Sequence, residues 1–343
     1  MKNRILALLA VLALMLALVP AASAQDDAGC FGLSAEDCEV IDTASANSLG
    51  VTGFVQDFSV DFSLTGLAML APMLGPDIPV NGDITLNVTG SGPLYIAPDS
   101  PDGIVFDVDM DVELVNGTET TTTTVGLTLI DGMFYIDLGG EVVGIPQEAA
   151  TEQAGVELGG NGATTLAELA EIDPMSMGIA GASTGLPPSW TNLITYERAG
   201  DDFTFFVDVS GILATDEIAM VLPMVLGSID TESLGLGDLG DLGDPAALLP
   251  IINEALIMDM TVNQRVNSDL NAVAGLTFDT NIEFDLGVAA GSPGTFPPII
   301  IELTFNVDLS DVNGTYEVVA PEGAEIIDAE DLDLSAFGLP GGE

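Results

Sequence analysis

One pattern governs this chain from residue 57 onward: short segments in which apolar and polar residues alternate, separated by Gly, Pro, Asn and Asp. In DFSVDFSL, Phe58, Val60, Phe62 and Leu64 face one way, and Asp57, Ser59, Asp61 and Ser63 the other. In FDVDMDVEL, Phe106, Val108, Met110, Val112 and Leu114 share a face opposite Asp107, Asp109, Asp111 and Glu113. DITLNVTG near 83–90, FTFFVDV at 203–209, LIMDMTV at 256–262, LTFDTNIEFDL at 276–286 and IELTFNVDL at 301–309 alternate in the same way. A period of two means strands with one buried face, as in antiparallel sheets. About ten or eleven such strands are expected, most near eight residues long. Asn116-Gly117, Asp131-Gly132 and Asn313-Gly314 are expected hairpin tips, so neighbouring strands should form a meander.

Four stretches break the alternation. Residues 64–80 and 211–229 are apolar, rich in Met and interrupted by Pro, and each directly follows a strand. Residues 150–180 contain TLAELAEI, a short helical pattern. Residues 233–255 pass from the linker-like GLGDLGDLGD into a helix-like PAALLPIINEAL. A sheet with one apolar face needs a cover, and these segments are its candidates.

Charge narrows the function. Of four basic residues, Lys2 and Arg4 lie at the N-terminus, leaving Arg198 and Arg265 against 54 acids. Such a chain cannot neutralise a row of phosphates or dock on an anionic membrane through basic side chains. Without His, and without Lys past residue 2, the usual bases and amines of nucleophilic catalysis are missing. The commonest zinc, copper and non-haem iron ligand is missing too. This argues against an enzyme. The acidity does not mean disorder, because mean hydropathy is +0.46 and the apolar residues suffice for a large core.

The N-terminus carries a targeting pattern: Lys2 and Arg4, the run ILALLAVLALMLALV, then Ala22-Ser23-Ala24. Residues 1–24 are therefore expected to be a signal peptide cleaved before Gln25, with an uncleaved anchor as the alternative. An exported chain with only Cys30 and Cys38 is expected to join them, the alternative being lipidation of Cys30. Residues 25–44 would form an N-terminal segment with that disulfide loop, 45–327 the main domain and 328–343 an acidic tail.

Candidate chemistry is sparse. Asp107, Asp109 and Asp111 form a row that could contribute to a Ca²⁺ site, the only cofactor in view, although a solvated sheet face is the favoured explanation. N-x-T sequons at Asn87, Asn116 and Asn313 matter only in a host that glycosylates exported proteins. Methionine is more telling, since it fills irregular space and adapts to varied partners. An apolar ligand held between sheet and cover would touch Phe62, Met69, Met73, Phe106, Met110, Phe134, Phe205, Met220, Met224, Met258, Phe284 and Phe305.

The order of elements resembles the LppX/LprG-type lipoproteins and, more distantly, LolA-like lipid carriers. LIDGMFYIDLGG (129–140) is similar to a hairpin of that family, with Tyr135 at its Tyr position. TNLITYERAGDDFTFFVDVSGILA (191–214) resembles the next strand pair and the short helix after it. LTFNVDLSDVNGTYEVVAPEGAEII (303–327) resembles the closing strands, through Ser310, Asp311, Asn313, Val319, Ala320, Pro321 and Ala324. The resemblance implies a mostly-β half-barrel, a single curved antiparallel sheet with short helices across its concave face. It also implies lipid binding and transport in the cell envelope. The chain lacks the lipobox of that family, and its acidity is its own. The expected function is that of an exported, non-catalytic lipid- or hydrophobe-binding protein. The alternative is an acidic structural or adhesive surface protein stabilised by Ca²⁺ or salt.

Overall fold

The structure, a computed structural model, describes residues 33–48, 50–66, 82–97, 103–147, 193–215, 254–289 and 296–327. The signal-peptide region, Cys30, TLAELAEI, GLGDLGDLGD and the acidic tail lie outside them, as do Met69, Met73, Met220 and Met224.

Twelve strands form one open sheet. They are β1 (Gly53–Thr65), β2 (Ile84–Ile96), β3 (Ile104–Asn116), β4 (Glu119–Ile130), β5 (Met133–Leu138) and β6 (Val142–Pro146). The others are β7 (Ile194–Ala199), β8 (Asp202–Asp208), β9 (Leu256–Asn267), β10 (Ala272–Phe284), β11 (Ile299–Ser310) and β12 (Glu325–Ile326). The order across the sheet is β12-β6-β5-β4-β3-β2-β1-β11-β10-β9-β8-β7, with its two ends unjoined, as a half-barrel requires. Two meanders, β1–β6 and β7–β11, meet where β1 pairs with β11. All pairings are antiparallel except β12 with β6. The two-residue β12, absent from the sequence expectation, caps the β6 edge.

Turn chemistry explains much of this. Asp131 and Gly132 take φ of 53° and 74°, the two left-handed residues of a tight primed turn, and join β4 to β5. Asn116 is instead the last paired residue of β3, opposite Glu119, so the β3–β4 tip falls on Gly117-Thr118. Asn313-Gly314 is not a hairpin, for no strand follows before β12. The Asn313 side chain instead accepts bonds from the Thr52 backbone N–H and hydroxyl, fastening the chain after β11 to the start of β1.

Three helices are described: α1 (Ala35–Ser48), α2 (Val209–Leu213) and α3 (Leu286–Ala289). The α2 segment is the short helix expected after β8, and Asp208 caps it by accepting from the Gly211 N–H. By contrast, α1 went unforeseen and runs through the boundary drawn between residues 44 and 45. Its start is capped by Ser34, whose hydroxyl accepts from the Asp37 N–H. It lies on the sheet with Ala44 against Phe203, Val266 and Val273, and half-buried Val40 and Ile41 alongside.

Candidate ligand-binding face

Register places the apolar residues of nearly every strand on one face. Phe62 stands opposite Leu86 and Leu303, Val60 opposite Val88 and Phe305, and Phe106 opposite Leu94 and Leu129. The row continues through Phe134, Phe278, Val262 and Phe205. All eight described residues of the expected lining share this face: Phe62, Phe106, Met110, Phe134, Phe205, Met258, Phe284 and Phe305. They do not share one degree of burial. Phe106, Met110 and Phe305 are core, with Phe305 only 1 % exposed, whereas the other five are half-buried.

That difference follows position along the strands only in part: Leu86, paired with Phe62, is 1 % exposed, while Phe134, between the buried Leu129 and Ile145, is half-buried. At one end of the face, Phe54, Leu94, Ile96, Ile104, Leu129 and Ile145 are sealed. At the other, Phe62, Leu64, Val112, Leu114, Leu303 and Phe284 are half-buried. The chain leaves the sheet after β1, β8 and β10 at this second end, toward segments 67–81, 216–253 and 290–295, which lie outside the described residues. Where α1 covers the face, polar side chains fix it. Arg198 on β7 donates to Asp37, Tyr196 donates to the same carboxylate, and the Ser34 N–H donates to Tyr196 Oη. The guanidinium also lies 4.9 Å over the ring of the fully buried Phe203. The Arg198 bond, then the Ser34 hydroxyl, hold the Asp37 carboxyl below its ordinary range. On α1, Cys38 is disulfide-bonded; its expected partner, Cys30, lies outside the described residues.

The opposite face carries hydroxyl–carboxylate ladders. Thr128 donates to Asp107 at 2.7 Å, Thr124 to Asp111 at 2.8 Å and Thr304 to Asp279 at 2.8 Å. Asp109 stands between the first two, opposite Gly126, which has no hydroxyl to offer. Among the described residues, no three His, Cys, Asp or Glu side chains are gathered as a metal site needs. Alternate residues on a strand stand about 7 Å apart, too far for the Asp107, Asp109 and Asp111 row to close around one ion. A depression of about 490 Å³ on this face is lined by Asp57, Asp109, Asp111 and Asp308 among others.

No family model and no curated protein matches the chain. Among solved structures it is similar to LprF from Mycobacterium bovis. That alignment covers 84 % of this chain and 99 % of the other, at 9 % identity and a TM-score of 0.31. A structure of lipovitellin, described in terms of its lipid–protein interactions, aligns over 80 % of this chain but 27 % of its own, at 8 % identity and a TM-score of 0.28. GphF dehydratase 1 aligns over 80 % of this chain at 10 % identity and a TM-score of 0.14.

Proposed function

We propose that this chain is an exported, non-catalytic carrier that holds a lipid or similar apolar molecule against the apolar face of its sheet. The observation that supports this is the graded burial of that face. A filled core would bury Phe62, Leu303 and Phe284 as completely as Phe305, because exposed aromatic and aliphatic area costs roughly 25 cal/mol per Å². Leaving one end half-buried, where the chain passes into its apolar segments, gives a ligand a surface on which to exclude water. Catalysis of the Ser–His type finds no base. GASTG at 181–185 has the spacing of a nucleophile elbow, yet the chain contains no His to activate Ser183.

The test is native mass spectrometry of the mature protein purified without detergent, followed by organic extraction. The expected result is a stoichiometric mass excess that extracts as acyl lipid. Bare protein that also fails to take up a fluorescent fatty acid would overturn the reading. The second reading is an acidic structural or adhesive surface protein stabilised by Ca²⁺ or salt. In that case Ca²⁺ would raise the melting temperature of ligand-free protein well beyond the effect of equal ionic strength.

A further inference from the structure

The apolar face contains a deeply buried polar group, Gln56, whose side-chain oxygen no hydrogen bond satisfies. Gln56 occupies an even position of β1, between Phe54 and Phe58, with Leu309 opposite on β11 and Gly92 opposite on β2. It is only 3 % exposed, and its side-chain oxygen Oε1 has no hydrogen-bond partner. Thr280, also buried on this face, differs in donating to the Asp259 carbonyl. A buried amide oxygen without a donor carries a desolvation cost, and an apolar residue here would avoid it. Nothing in the ladder needs an amide, because the backbone of β1 is already paired on both sides.

We propose that Gln56 is the polar anchor of the bound ligand, accepting a hydrogen bond from a hydroxyl carried by a long-chain molecule. This rests on the carrier reading and names the chemistry that reading leaves open. The hydroxyl sits at the sealed end beside Gln56. The hydrocarbon body extends toward the half-buried end at Phe62 and Leu303, about 20 Å away by strand rise. That is the length of a long alkyl chain. With the hydroxyl in place the amide is satisfied, so the penalty carried by the empty protein becomes preference for a ligand that brings a donor. A hydrocarbon of equal size leaves the oxygen orphaned and gains none of it.

The test uses a matched pair, hexadecanol and heptadecane, which have the same number of heavy atoms. Mature protein is incubated with an equimolar mixture, freed of unbound ligand and extracted, and the alcohol-to-alkane ratio is read by mass spectrometry. The same is done with Gln56→Leu and Gln56→Met, so that differences in ligand solubility cancel between proteins. Both variants replace the buried amide by an apolar side chain of similar size and are expected to fold, with circular dichroism as the check. The expected result is a ratio about tenfold higher for the wild type than for either variant, the worth of one buried hydrogen bond. Equal ratios would overturn the anchor while leaving the carrier intact. Uptake of neither molecule by the wild type would overturn both.

Discussion

Arg265 on β9 reaches across Gly275 on β10 to bond Asp308 on β11, a side-chain bridge spanning three strands of the polar face. The glycine makes it possible: a Cβ there would stand 2.9 Å from Asp308 Oδ1 and 3.1 Å from Arg265 Nη2. It would also meet the Val307 carbonyl at 2.9 Å, which cannot move aside as a side chain can. Both partners are largely solvated, so the ion pair itself contributes little, and Arg265→Gln should cost under about 1 kcal/mol. Gly275→Ala should cost more, about 1–3 kcal/mol, because it crowds backbone. Urea unfolding of the two variants checks the order.

The graded face predicts that stability and uptake separate. Phe305→Ala removes a ring from the sealed core and should cost about 3–5 kcal/mol. Phe62→Ser removes one from the half-buried end and should cost distinctly less. Ligand capacity should fall more with Phe62→Ser than its stability does, as read by fatty-acid uptake beside thermal melting. A Phe62→Ser protein with full uptake would place the ligand elsewhere.

The clasp on α1 predicts a pH dependence with a definite sign. Because the folded Asp37 carboxyl lies below its ordinary value of 3.8, its stabilising contribution is complete above about pH 4. It is lost as pH falls through the lower folded value. Hydrogen exchange of the α1 amides should therefore accelerate in acid. In Arg198→Gln it should be faster already at neutral pH, with the acid response diminished. Identical α1 exchange in the two proteins at pH 7 would show that the clasp does not hold the helix.

The carboxylate rows predict a salt dependence. Asp109 lies in a row with Asp107 and Asp111 and faces Gly126 rather than a threonine, so Asp109→Asn should stabilise the protein at low ionic strength. The gain should shrink as salt screens the row. Thermal melts of both proteins across a sodium chloride series check this, and a gain independent of salt would remove electrostatic repulsion as its cause.

Gly53 predicts a steric effect at the start of β1. A Cβ there would stand 2.5 Å from the Tyr95 side chain and 2.6 Å from the Tyr316 ring, which stack with centroids 5.4 Å apart. Burial raises both phenols above their ordinary value. Gly53→Ala should open the stack, lower stability by about 1–3 kcal/mol and bring tyrosine titration back toward pH 10. Spectrophotometric titration reads the last effect directly.

Sequence by itself determined the strands, their faces and one turn. Alternation along DFSVDFSL and FDVDMDVEL depends only on the two-residue period of the backbone, and the Asp131-Gly132 turn only on which residues tolerate positive φ. Gln56 stands one residue before the alternation that begins at Asp57, and a polar residue on the apolar side carries no periodic signal of its own. Tertiary structure decided the rest. That β1 pairs with β11, more than two hundred residues away, is a long-range choice that local periodicity cannot encode. Helix α1 was illegible because AEDCEVIDTASANS carries no regular apolar stripe. It is held by Ser34, Arg198 and Tyr196, two of them supplied by a strand remote in sequence. The division of the apolar face into a sealed and a half-buried end belongs to packing as well, for Phe62 and Phe305 are the same residue in the same alternating pattern. Only the elements around each ring tell them apart.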